Sequence, residues 1–166
     1  MIFLERIDKI NYYLDIAETV ASRATCLRKK YGTVIVKNDE IIATGYCGAP
    51  RGRKNCCDIG YCTKKKLLPE AHHGGYDACR AVHSEQNAII SASRQEMLGS
   101  NLYLVGYRTE NHEYEEGAAP CLMCRKMIIN AGIEKVFVRV NKEKYITFNV
   151  NELIANDEFL NNQLEY

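Results

Sequence analysis

The sequence predicts an α/β protein in which helices pack on a mixed sheet. Three observations carry this. Helix-period and strand-type segments alternate along the chain, and Gly and Pro residues stand where several of them begin or end. A length of 166 residues, with 46% hydrophobic and 26% charged side chains, suits one ordinary domain with a substantial core. A single domain is expected over 1–166, its core over about 8–140 and a tail over 141–166.

Ile7, Ile10, Leu14, Ala17 and Ala21 recur at helical spacing, so an amphipathic helix is expected from about Asp8 to Thr25. Thr33 to Lys37 and Glu40 to Thr44 are short β-branched runs on either side of Asn38 and Asp39, a turn-forming pair, and read as a hairpin. From Gly45 to about Tyr76 the chain is rich in Gly, Pro and Cys and shows no periodicity. Loops this long are uncommon unless functional or cross-linked. Val82 to Leu98 reads as a second helix that Gly99 could cap, followed by a strand from Leu102 to Gly106. Arg108 to Gly117 is a solvated connection. Pro120 begins another helix, which Cys121 to Ala131 continue until Gly132 ends it; Lys135 to Val140 form a strand, and Asn151 caps a short helix in the tail.

Composition narrows the function. With 22 basic and 21 acidic residues the net charge is +1, which argues against a long duplex or an anionic membrane as the main partner. The longest apolar run is four residues, so no membrane span is expected. The first residues lack a basic stretch followed by an apolar one, and a cytoplasmic protein is expected. In a reducing compartment, eight cysteines read first as metal ligands or catalytic groups, the alternative for each being a small buried hydrophobe.

Pro120-Cys121-Leu122-Met123-Cys124 puts two thiols at i and i+3 on the first turn of a helix, near enough to share a metal. The helix N-terminus favours thiolate over thiol. By itself the pair could equally be a redox dithiol or two buried thiols. His83-Ser84-Glu85 at the start of the preceding helix changes that balance. On a regular helix His83 and Glu85 would point about 200° apart, so His83 should stand where the backbone can still turn both side chains into one pocket. Together these residues match the His-x-Glu…Pro-Cys-x-x-Cys signature of zinc nucleobase deaminases. His83, Cys121 and Cys124 would hold zinc and leave its fourth position to water, with Glu85 as general acid and base.

Across Ala21 to about Val138 the chain resembles the deoxycytidylate (dCMP) deaminases of the cytidine deaminase-like superfamily. The resemblance is carried by ASRATCLRKKYGTVIV (21–36), ATGYCGAPRG (43–52), CRAVHSEQNAI (79–89) and PCLMCRKMIINAGIEKVF (120–137). It implies a three-layer fold with a central mixed five-stranded sheet, hydrolysis of dCMP to dUMP and ammonia, a homo-hexamer, activation by dCTP and inhibition by dTTP. It implies a substrate 5′-phosphate contact at Arg23 and a pocket wall at Cys47, Gly48, Ala49 and Pro50. Ser84, counted with the substrate contacts, replaces the family's Ala and acts through its backbone. Cys47 replaces an Asn that bonds the nucleotide sugar in relatives, and a thiol cannot reproduce an amide's donors and acceptor.

Members of the family can also carry a second zinc. Cys26, Cys56, Cys62 and Cys79 flank the long loop and are its expected ligands, with His73 in reserve and His72 and Cys57 as bystanders. Closing such a loop with a metal would offset much of its ordering entropy. Two other readings remain. A deaminase of another cytosine nucleotide or of a tRNA base uses the same zinc motif, and Arg51-Gly52-Arg53-Lys54 and Lys64-Lys65-Lys66 could guide a phosphate backbone; near-neutral charge favours a solvated loop face for both runs. A non-enzymatic zinc or redox module has no use for Glu85.

Overall fold

The computed structural model describes residues 5–70, 75–157 and 160. Asp8 caps the first helix, its carboxylate accepting the Asn11 N–H at 3.0 Å, and α1 spans Lys9–Ser22. It stops short of Thr25 because the Thr25 N–H turns to the Cys47 carbonyl at 3.1 Å. β1 (Lys29–Lys37) and β2 (Glu40–Tyr46) form the expected hairpin. Asn38 and Asp39, at φ 50° and 64°, take the two left-handed positions that a two-residue type I′ turn needs. The Tyr13 hydroxyl and the Lys9 ammonium both reach back from α1 to Asp39.

With β3 (Asn101–Arg108), β4 (Lys135–Arg139) and β5 (Tyr145–Asn149), these strands make one sheet in the order β2-β1-β3-β4-β5. Only β3 and β4 run parallel. Leu14, Ala17 and Ala21 of α1 pack on Val34, Val36, Tyr103 and Val105 on one face. The other face, with Ile35, Leu102, Leu104 and Val136, is covered by α4 (Ser84–Ile89), α5 (Arg94–Met97), α6 (Leu122–Ala131) and α7 (Val150–Ala155). The result is the three-layer mixed sheet. Both faces of the central strands are covered, which is why β1 and β3 read as nearly unbroken apolar runs. Among the described residues no helix is long and apolar enough to cross a membrane.

Several expected elements differ. The helix expected over Val82–Leu98 is two helices, α4 and α5. Ser93 restarts the chain with a capping box, its hydroxyl accepting the Glu96 N–H at 3.2 Å while the Glu96 carboxylate accepts the Ser93 N–H at 2.8 Å. Ile90, 70% exposed, lies at the break. Tyr145–Asn149, not assigned from the sequence pattern, is the fifth strand, and α7 is capped by Asn149, which accepts the Asn151 N–H, rather than by Asn151. The long loop contains α2 (Cys56–Ile59), α3 (Thr63–Leu67) and a 3-10 turn at Tyr76–Ala78.

Two constraints hold α1 and α4 to the sheet. On the α1 side the fully buried Arg139 guanidinium donates to Asp15 at 2.6 Å and to Glu18 at 2.8 Å. Burial alone would raise the Glu18 carboxyl, but hydrogen bonds from Lys142, His112, Tyr114 and Arg139 hold it at about 2, below its ordinary 4.5. On the other side, a Cβ at Gly45 would stand 2.2 Å from the Ser84 carbonyl oxygen and 2.3 Å from the Ala88 nitrogen, so α4 lies on bare β2 backbone.

A depressed carboxyl stabilises the fold above its unfolded pKa and loses that effect as pH falls through the folded value. Glu18→Gln is expected to cost about 1–3 kcal/mol at neutral pH and to flatten the stability loss between about pH 4.5 and 2; urea unfolding across that range measures both. Gly45→Ala is expected to cost at least about 1–3 kcal/mol, because backbone rather than a movable side chain blocks the new methyl. Urea unfolding at neutral pH reads that loss.

Candidate active site

His83 is the N-cap of α4, with extended backbone at φ −68° and ψ 155°, and its N–H is accepted by Gln86 Oε1 at 2.9 Å. Only from Ser84 onward is the chain helical. That one extended residue reconciles His83 and Glu85 with a common cavity, which a continuous helix would forbid. Cys121 takes the same place on α6, at φ −65° and ψ 164°, and Cys124 follows within the first turn. The two helix starts bring His83 Nδ1 to 3.5 Å from Cys121 Sγ and 3.4 Å from Cys124 Sγ.

Among the described residues, His83, Cys121 and Cys124 form the one trio of potential metal ligands whose donor atoms all lie within 4.8 Å of one another. The Cys121 thiol is held well below the usual range, first by the hydrogen bond from Cys124 and then by His83. Cys124 is pushed up by the same bond and by burial. Two sulfurs this close do not both ionise unless a cation lies between them. One imidazole and two thiolates are a soft, borderline donor set that fits zinc.

Glu85 is buried beside this trio and lines the same cavity, of about 250 Å³. Burial raises its pKa, partly opposed by its own backbone N–H and by His83. Thr33 Oγ1 donates to Ser84 Oγ at 2.8 Å, and Ser84 Oγ donates to Glu85 Oε2 at 3.0 Å. Ser84 thus uses a side chain that Ala would lack. Sequence reasoning missed Thr33, whose only signal was its place among the β-branched residues of β1. Behind Ser84, the bonds between Gly48 and Val82, at 3.2 and 2.7 Å, tie the incoming chain to the end of β2.

The remaining expected contacts divide. Cys47 lines the Glu85 cavity, but its sulfur accepts from Tyr31 N–H at 3.4 Å and donates to the Lys29 carbonyl at 3.6 Å. Burial pushes this thiol up to about 12. Arg23, Gly48, Ala49 and Pro50 line a second cavity, together with Arg51 and Arg53, and the structure does not bring them to Glu85. Cys26, Cys62 and Cys79 lie on the Glu85 cavity and Cys56 is buried nearby. Burial raises Cys56 and Cys79, and Cys26 and Cys62 add to both shifts. Cys57 is exposed, and His72 and His73 lie outside the described residues. The basic run 64–66 is not one solvated face: Lys64 is buried on the cavity, while Lys66 sits over the Tyr61 ring. Tyr76, also without a sequence signal, stands edge-on to His83 with ring centroids 4.9 Å apart.

The chain is similar to several deoxycytidylate deaminases. It is 34% identical over 139 residues to a deoxycytidylate deaminase of Mycobacterium phage D29, covering 80% of this chain and 95% of that protein. A deoxycytidylate deaminase of Schizosaccharomyces pombe is 32% identical over 126 residues, covering 76% of this chain and about a third, 35%, of the yeast protein. The dCMP deaminase of cyanophage S-TIM5, solved in complex with dCMP and dUMP, superposes with a TM-score of 0.57 at 29% identity, over 81% of this chain and 84% of the other. The family model of the cytidine and deoxycytidylate deaminase zinc-binding region matches residues 7–140, and the chain belongs to that family.

Proposed function

We propose that this protein is a zinc-dependent hydrolase that converts dCMP to dUMP and ammonia. The observation that carries this is the meeting of His83 Nδ1, Cys121 Sγ and Cys124 Sγ beside a buried Glu85 on one cavity. The phage and yeast relatives support dCMP as the substrate. Zinc held by the trio supplies Lewis acidity that brings the pKa of water near neutral. Glu85 takes the proton of the attacking water and passes it to the ring nitrogen, and the water oxygen adds to the carbon bearing the exocyclic amine. Glu85 then takes the second proton of that water from the newly formed hydroxyl and delivers it to the departing nitrogen, the carbon–nitrogen bond breaks, the carbon–oxygen bond becomes a carbonyl, and ammonia leaves. One water is consumed and no electron is transferred. Its burial suits Glu85 to carry that proton, and the bond from Ser84 fixes the carboxylate's direction.

We extend the proposal to a second zinc on Cys26, Cys56, Cys62 and Cys79. Its support is that Cys26, Cys62 and Cys79 line one cavity, that Cys56 is buried and that these thiols influence one another electrostatically; no three of their sulfurs lie within 4.8 Å of one another, so binding a metal would draw them together. Regulation by dCTP and dTTP and assembly as a hexamer rest on family membership. The arginine-lined second cavity offers a triphosphate effector a basic surface. Eight unpaired thiols are in keeping with a reducing cytoplasm.

Glu85→Gln is expected to keep zinc and to lower dCMP turnover by at least roughly 100- to 10,000-fold, whereas His83→Ala and Cys121→Ala lose both; ammonia release and metal content are the readouts. Near-wild-type turnover by Glu85→Gln would overturn the mechanism. For the second site, metal analysis is expected to give more than one zinc per chain, reduced by Cys56→Ser. A single zinc with Cys56→Ser unaffected refutes it.

A further inference from the structure

We propose that Lys64 is the specificity-determining residue that receives the 5′-phosphate of the nucleotide; this deepens, and rests on, the reading of the cavity as a nucleotide deaminase site. Lys64 is on α3, inside the Cys-rich segment, and is only 9% exposed. Its stem passes over Gly75 and its ammonium lies 5.0 Å from the centroid of the Tyr76 ring. Tyr76 in turn abuts His83, so the ammonium lies one aromatic ring away from the metal ligands, on the wall of the same cavity. A nucleotide whose reacting carbon meets Glu85 extends its sugar and phosphate away from that point along the cavity, and a cation on the wall next to the Tyr76 ring is placed to meet the phosphate.

The other cations of that region are differently engaged. Lys29 is paired with Glu115 at 2.6 Å. Arg28 lines the cavity but is exposed, and Arg23 lines the second cavity. Among the described residues no carboxylate lies within ion-pairing distance of Lys64. The Lys64 ammonium thus stands on the cavity wall against a ring face with no carboxylate to pair it. A phosphate monoester dianion supplies that missing partner, through a charge-assisted hydrogen bond. Deoxyuridine, lacking the phosphate, makes no such bond, so Lys64 would separate nucleotides from nucleosides.

The test is calorimetric binding of the products dUMP and deoxyuridine to zinc-loaded protein. Wild type is expected to prefer dUMP. Lys64→Met is expected to weaken dUMP by about 10- to 100-fold and to shrink the preference by the same factor, while Lys64→Arg retains most of it. Lys64→Gln gives the same reading should Met disturb the Tyr76 contact. Arg23→Ala is expected to shift the preference less than Lys64→Met does. A preference unmoved by Lys64→Met, an equal weakening of nucleotide and nucleoside, a loss carried by Arg23→Ala, or no binding of dUMP to wild type overturns the assignment. A wild-type protein that binds dUMP through Lys64 but releases no ammonia from dCMP overturns the proposed reaction and leaves this assignment standing.

Discussion

The site depends on how near the first turn of α4 comes to the sheet. Gly45 and Thr33 are cross-strand partners on the face beneath that helix. Gly45 provides clearance by having no side chain, and Thr33 provides direction by bonding the Ser84 hydroxyl. Moving α4 outward by the thickness of a methyl group would carry His83 and Glu85 away from the two sulfurs on α6. Metal sites tolerate displacements of only a few tenths of an ångström, so the backbone contact at Gly45 sets the accuracy of the whole centre. Packing of this kind works because protein interiors are dense and transmit small shifts rather than absorbing them.

The charged groups divide between the two faces of the sheet. On the α1 face, Arg139 is fully buried and neutralised by Asp15 and Glu18, with Lys142 and Tyr114 completing the shell around Glu18. These groups balance one another's charge, although the buried Arg139 Nε has no hydrogen-bond partner, and they hold a helix to a strand. On the other face, the buried Glu85 and Cys124 and the half-buried Cys121 lack an equivalent complement of cations. Burial drives Glu85 toward its neutral form and leaves one of the two sulfurs protonated. The same physical chemistry that makes the first network a fastening makes the second one receptive: a dication of zinc supplies the missing positive charge.

What the sequence discloses about this arrangement follows from how local each signal is. The helix start at about Asp8, the Asn38-Asp39 turn and the Gly132 helix end are decided by a few adjacent residues, and all stand as read. The metal trio is also legible, since its two motifs sit at helix starts where chemistry and backbone geometry coincide. The break between α4 and α5 is written in Ser93 and Glu96, but the apolar period of Val82, Ala88, Ile89, Ala92 and Leu98 overrides it when the segment is read as one pattern. β5 has strand-type residues, yet as an edge strand it is half-exposed and lacks a clean alternation. Lys64 is legible only as part of the basic run 64–66, and Tyr76 carries no signal at all. Their meeting is produced by the folding of an irregular segment back onto the cavity, and nothing in the neighbouring sequence records it.

The same limit applies to the loop after β2, where contiguous residues serve different surfaces. Cys47 faces the Glu85 cavity, and the residues just after it line the other one. In extended chain successive side chains point to opposite sides, so a motif that looks like one wall in sequence becomes the partition between two spaces. Cys47 also prolongs the hairpin beyond its last regular pair, its N–H bonding the Tyr31 carbonyl at 3.2 Å while its thiol bonds β1 backbone on either side. The sulfur's polar capacity is thereby spent on the sheet. A nucleotide in that cavity would gain shape and apolar contact from Cys47 but no strong hydrogen bond. Orientation of the substrate would then come from its two ends: the reacting ring beside the metal ligands and Glu85, and, on the proposed assignment, the anionic terminus at Lys64.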